Sequence, residues 1–94
     1  MTEFLGEMYV SRTNGATVEN DEARVRVAAA QLTGEGTHVR FVRTIFVPED
    51  ETCFYLFEAA SEGTVREVGA RAALPFDRVR ESWRRPGEKA PDSQ

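Results

Sequence analysis

The sequence predicts an α+β domain, a four-stranded antiparallel sheet carrying two helices on one of its faces. Three observations predict it. Val39 to Val47 and Cys53 to Ala59 are rich in Val, Ile, Phe and Tyr, and they flank the acidic connector Pro48-Glu49-Asp50-Glu51, which ends on Thr52. Such runs suit a half-buried pleated surface, and a polar loop of four or five residues joins them as a hairpin. A strand and a helix precede the hairpin, and a helix and a strand follow it. Each helix has an apolar stripe at i, i+3, i+4 and i+7, so each has one face to bury. The resulting order, βαββαβ, is the split βαβ or ferredoxin-like arrangement, and right-handed crossovers put both helices on the same side.

Glu3 to Val10 alternates, with Phe4, Met8 and Val10 on one side and Leu5, Glu7 and Tyr9 on the other. Ser11 to Gly15 carries an Asn-Gly turn signal. Thr17 stands where a helix N-cap belongs, and Glu19, Asp21 and Glu22 follow where the helix dipole favours negative charge. The first stripe is Val25, Ala28, Ala29 and Leu32, closed by Gly34 and Gly36. In the hairpin, Val39, Phe41, Arg43, Ile45 and Val47 alternate with Arg40, Val42, Thr44 and Phe46. Cys53, Tyr55, Phe57 and Ala59 alternate with Phe54, Leu56 and Glu58. A connector of four or of five residues slips the register by one and decides whether Glu58 or Phe57 shares a face with Val42; this choice stays open. Ser61 caps a second helix with the stripe Val65, Val68, Gly69 and Ala72, which Leu74-Pro75-Phe76 stops. Arg78 to Trp83 reads as the last strand, with Val79 and Trp83 on one side. The domain is expected over 1–83. From Arg84 to Gln94 the chain, RRPGEKAPDSQ, is polar and rich in breakers and reads as a disordered tail.

Ninety-four residues make one domain with a modest core, to which a second copy would add buried surface. With 16 acidic against 12 basic residues the net charge is -4, which implies no broad polyanion-binding surface. Sheets of this order that read RNA start a strand with a basic-Gly-aromatic motif, which TCFYLFEA lacks, so no nucleic-acid partner is expected. No run approaches the ~18 apolar residues of a membrane span. The start, MTEFLGEMYV, lacks the basic n-region and uninterrupted apolar stretch of a signal peptide, so none is expected, and the single Cys53 fits a reduced thiol. These features predict a soluble cytoplasmic protein without a membrane partner.

The sheet face away from the helices is predicted to carry Leu5, Glu7, Tyr9, Phe41, Arg43 and Ile45, joined by either Tyr55 and Phe57 or Leu56 and Glu58. Apolar surface of that kind, roughly several hundred Å², marks an interface or a ligand site, and a homodimer through this face is the expectation. Candidate chemistry is sparse. His38 is the one histidine, a single donor where metal sites use three or four; alone it is a solvated loop side chain. Glu7, Arg43 and Glu58 are charges within apolar strands. Gathered in a cleft they would serve ligand binding or proton transfer; apart, they are inter-strand or inter-subunit ion pairs. Cys53 reads as a small core residue, and one cysteine cannot hold an iron–sulfur cluster. Glu49-Asp50-Glu51 lacks the ligand spacing and glycine of an EF-hand.

GEGTHVRFVRTIFVPEDETCFYLFEAAS, followed by VREVGARAALPFDRV, resembles a family of small bacterial proteins of unknown function often labelled nickel-binding protein. The likeness is carried by Glu35-Gly36-Thr37, Val39-Arg40-Phe41, Phe46 to Glu51, Cys53-Phe54, Phe57-Glu58-Ala59 and Leu74 to Arg78. The chain departs from that pattern at His38, where Pro is usual, and at Tyr55, where Cys or His is common. The resemblance implies a ferredoxin-like homodimer, akin to a dimeric α+β barrel, and Ni²⁺ as the bound ion. Donor chemistry, rather than the family's pattern, nominates His38, Glu7 and Glu58 as its ligands. The expected function is that of a small non-enzymatic binding protein. The alternatives are a ligand-binding or catalytic dimeric barrel that uses the open sheet face, and a protein-interaction module.

Overall fold

Local sequence decides where each element starts and stops. The computed structural model describes residues 2–83; the tail expected over 84–94 lies outside the described residues. β1 (Thr2–Tyr9) leads through a 3-10 turn, Arg12–Thr17, into α1 (Val18–Gly34). Thr17 holds the N-cap position, but its hydroxyl turns back to donate to Asn14 O at 2.8 Å, so the cap is made by the preceding turn and not by the side chain. Gly36, at φ +100°, takes the left-handed conformation past the end of α1, and the Thr37 N–H donates to Leu32 O at 2.9 Å. β2 (Val39–Val47) and β3 (Thr52–Ala59) form the hairpin. Ser61 caps α2 (Glu62–Arg71) by accepting from the Thr64 N–H, and β4 (Arg78–Ser82) closes the chain as described. No helix among the described residues is long and apolar enough to cross a membrane.

The four strands lie in the order β2-β3-β1-β4, every neighbouring pair antiparallel, with both helices on one face. This is the predicted ferredoxin-like α+β arrangement. The core lies between sheet and helices. Val25, Ala28, Ala29 and Leu32 of α1 and Val65 and Val68 of α2 meet Phe4, Met8, Phe41, Cys53, Tyr55, Phe57 and Val79 of the sheet. Both stripes predicted from periodicity are therefore the buried ones. Tyr55 and Phe57 are the largest fully buried side chains, each contributing about 1.5–3 kcal/mol through apolar burial.

Phe76 closes this core from below α2. Its ring stacks on Tyr55, with centroids 5.6 Å apart, and lies 6.0 Å from Phe57. It fits because Gly6 of β1 and Gly69 of α2 have no side chain: a Cβ would stand 2.8 Å from the ring at Gly6 and 3.0 Å from it at Gly69. Two glycines and one aromatic thus set how closely α2 approaches the sheet.

The hairpin corrects one expectation. Val47 pairs with Thr52, so the connector has four residues, and this register runs back to Arg43 opposite Leu56. A β-bulge then shifts the pairing, and Phe41 stands opposite Phe57. An extra residue in one strand moves every side chain beyond it to the other face. Phe41 accordingly leaves the reverse face where it was expected and enters the core, with the Arg26 guanidinium of α1 4.9 Å above its ring. Val42, the extra residue, shares its face with neither Phe57 nor Glu58 by simple pairing. Tyr55 and Phe57 also lie on the helix side, which leaves Leu56 and Glu58 to the reverse face.

Candidate functional site

The reverse face is built from rows of directly paired residues, since partners across a ladder share a side. One row runs Ser82, Glu3, Glu58, Arg40; the next Arg80, Leu5, Leu56, Arg43; the next Arg78, Glu7, Phe54, Ile45. Tyr9, Thr52 and Val47 complete it. Among the described residues no helix covers this face. Leu5 and Phe54 are half-buried, Ile45 is 36% exposed and Tyr9 64% exposed. Leu56 and Val42 are already shielded, so the apolar patch is a strip smaller than predicted, flanked by Arg43 on one edge strand and Arg78 and Arg80 on the other.

At one end of this face a cleft of about 310 Å³ is lined by Glu7, Tyr9, Asp50, Glu51, Asp77 and Arg78 among others. Its acidity is put to structural use. Asp77 Oδ2 accepts from the Tyr9 N–H at 2.9 Å, and the Asp77 N–H donates to Glu7 O at 2.7 Å, which ties the entry of β4 to the end of β1. Glu51 sits at φ 49°, and its Oε2 accepts from the Arg12 N–H at 3.1 Å and the Tyr9 hydroxyl at 3.4 Å. A second hollow, about 300 Å³, lies along α1 beside the end of α2. Its guanidinium groups are engaged: Arg24 donates to Ala72 O, and Arg71 donates to Glu35 Oε2 at 2.6 Å. That hydrogen bond holds the Glu35 carboxyl below its usual pKa.

The predicted ligands do not meet within one chain. His38 is exposed in the loop between α1 and β2, where the Thr33 hydroxyl latches the backbone by donating to Val39 O at 2.9 Å. Glu58 pairs with Arg40, Nε to Oε1 at 2.9 Å, which is the inter-strand ion pair that the sequence offered as one reading. Glu7 stands opposite Phe54, four residues along β3 from Glu58, or about 13 Å at ~3.3 Å per residue. Arg43 lies in the row between them, across β3 from the strand that carries Glu7. Among the described residues there is no group of three or more His, Cys, Asp or Glu that could hold a metal ion. Cys53 is fully buried, and burial pushes its thiol up from the ordinary value, although the Tyr55 hydroxyl beside it acts the other way.

Sequence reasoning missed Arg78 and Arg80 as rim residues and Asp77 and Glu51 as braces. Strand alternation placed Arg78 and Arg80 opposite Val79, which was signal enough for the rim; the braces depend on β1 lying between β3 and β4, which no local pattern states.

A family model described as nickel responsive protein SCO4226-like matches residues 8–81. No curated protein matches the chain. Among solved structures, the fold is similar to the crystal structure of SCO4226 from Streptomyces coelicolor A3(2), with a TM-score of 0.68. The two are 17% identical, over 85% of this chain and 94% of that one, a likeness that carries the fold.

Proposed function

We propose that this protein, which belongs to the SCO4226-like family of nickel responsive proteins, works as a small non-enzymatic binding protein whose open sheet face pairs with a second copy. One observation carries the reading. The strip of Leu5, Ile45 and Phe54 lies between charged edges on a face that no described helix covers. A two-fold contact sets one patch against its own copy, and an apolar strip with both signs of charge around it is self-complementary in that way. The absence of chemistry from the reading is supported by the state of the reactive groups. Cys53 is buried, His38 stands by itself in a loop, and Asp77 and Glu51 are spent on backbone N–H groups.

Nickel enters through the family's name. Among the described residues the donors do not converge, so we take the further donors of a nickel site using His38, Glu7 or Glu58 to come from a second copy, which makes metal holding depend on the dimer. Sedimentation of tag-free protein at micromolar concentration is expected to give a dimer mass, and Phe54→Asp a monomer mass. Titration calorimetry with NiCl2 is expected to show saturable heat that falls away in both His38→Ala and Phe54→Asp. A monomer mass for the parent protein removes the dimer; a dimer that takes up no nickel removes the metal and leaves the interface.

A further inference from the structure

One row of the reverse face has a cation at each end and apolar side chains between. It runs Arg80 of β4, Leu5 of β1, Leu56 of β3, Arg43 of β2, each paired directly with the next across the ladder, so all four share a side. The two guanidinium groups differ from most others among the described residues. Arg24, Arg26, Arg40, Arg66 and Arg71 each stand within ion-pair distance of a carboxylate. Arg43 and Arg80 are exposed, and their side chains have no ion pair or hydrogen bond among the described residues. Arg78, in the adjoining row, has Glu7 opposite it and borders the acidic cleft. Arg43 and Arg80 have leucines opposite them instead, so nothing along their row answers their charge. From β4 to β2 is three strand spacings, about 14 Å. Both stems can lie inward over the apolar floor, where Leu5 is half-buried, Leu56 is shielded and Phe54 stands in the adjoining row.

We propose that this row binds a linear dicarboxylate, with one carboxylate on each of Arg43 and Arg80 and the carbon chain along Leu5 and Leu56. A guanidinium fork matches a carboxylate through two parallel hydrogen bonds. Phosphate meets the same fork, but it engages one end and leaves the apolar floor and the far cation unused. The site goes beyond the dimer reading and does not need it, because a single chain holds all four residues. Where two copies pair, the anion lies between them and offsets cations that the contact takes out of water.

The test is an amide NMR titration of the full chain with adipate, hexanoate and sodium phosphate, at a fixed ionic strength of about 50 mM made up with NaCl. Adipate is expected to move the resonances of Leu5, Leu56, Arg43 and Arg80 saturably while those of both helices stay in place. It is expected to bind about tenfold tighter than hexanoate, which reaches one guanidinium only. Arg43→Gln and Arg80→Gln each bring adipate down to the level of hexanoate, and the variant carrying both loses the shifts. Equal binding of adipate and hexanoate by the parent protein would overturn the site. So would phosphate that matches adipate, or a response that survives in the double variant. Sedimentation of the same samples keeps the two readings apart. A monomer that shows the row's shifts removes the dimer and keeps the dicarboxylate; a dimer with unmoved resonances removes the dicarboxylate and leaves the interface.

Discussion

Cys53 and Tyr55 are two residues apart on one face of β3, both fully buried. The Tyr55 hydroxyl has no hydrogen-bond partner of good geometry, and the Cys53 thiol is the polar group it influences. Burial raises both pKa values, with further upward pressure from Asp21 and Glu22 at the start of α1. The sign of the pH effect follows. Below the ordinary thiol pKa both folded and unfolded chains keep the proton, and the core contributes in full. Above it the unfolded chain releases the proton first, so stability falls as pH rises from about 8.5 towards the raised folded value. The urea midpoint is expected to decline between pH 8 and 10, and less steeply in Cys53→Val. Identical slopes in the two proteins would show that the thiol is not buried as described. That Cys53 belongs to the core was legible from its place between apolar neighbours. That the hydroxyl of Tyr55 lies unpaired beside it was not, because this depends on which way a ring turns once α1 has settled over it.

Among the elements, α2 is the one placed most by contact. Its sequence marks the Ser61 cap and the apolar stripe, yet Gly69 looks there like a weak point, since Gly is about 1 kcal/mol worse than Ala in a helix. In the folded chain a Cβ at 69 would stand 2.9 Å from the Leu74 carbonyl oxygen and 3.0 Å from the Phe76 ring. Backbone cannot yield as a flexible side chain does. Gly69→Ala is therefore expected to cost about 1–3 kcal/mol despite its better propensity, as measured by urea unfolding. A neutral or stabilising result would mean that α2 sits farther from the sheet. The end of the same helix is held in an unusual way. Ala73 takes a left-handed φ of 59°, the Leu74 N–H donates to Gly69 O at 2.8 Å, and Arg24 of α1 donates to Ala72 O. β2 was read well near the turn and wrongly beyond Arg43, because alternation assumes an unbroken pleat and the bulge breaks it.

For the molecule as a whole, the question is what covers the reverse face. A domain this small buries a modest share of its surface, and the proposed dimer would add apolar burial that the single chain lacks. Association to a dimer links stability to concentration. The melting temperature of the parent protein is expected to rise by a few degrees over a hundredfold increase in concentration, and that of Phe54→Asp to stay level. A melting temperature independent of concentration in both would count against the shared interface.

The fold class, the order of its elements and the two helical stripes were written in periodicity and in cap and turn residues, which act over a few positions and need no distant partner. Tertiary structure decided the rest: which side Phe41 faces, how Phe76 fits between two glycines, and that His38, Glu7 and Glu58 do not meet in one chain. The reason is physical. Faces and distances between strands follow from a register, and one additional residue in β2 resets that register for every side chain on its far side.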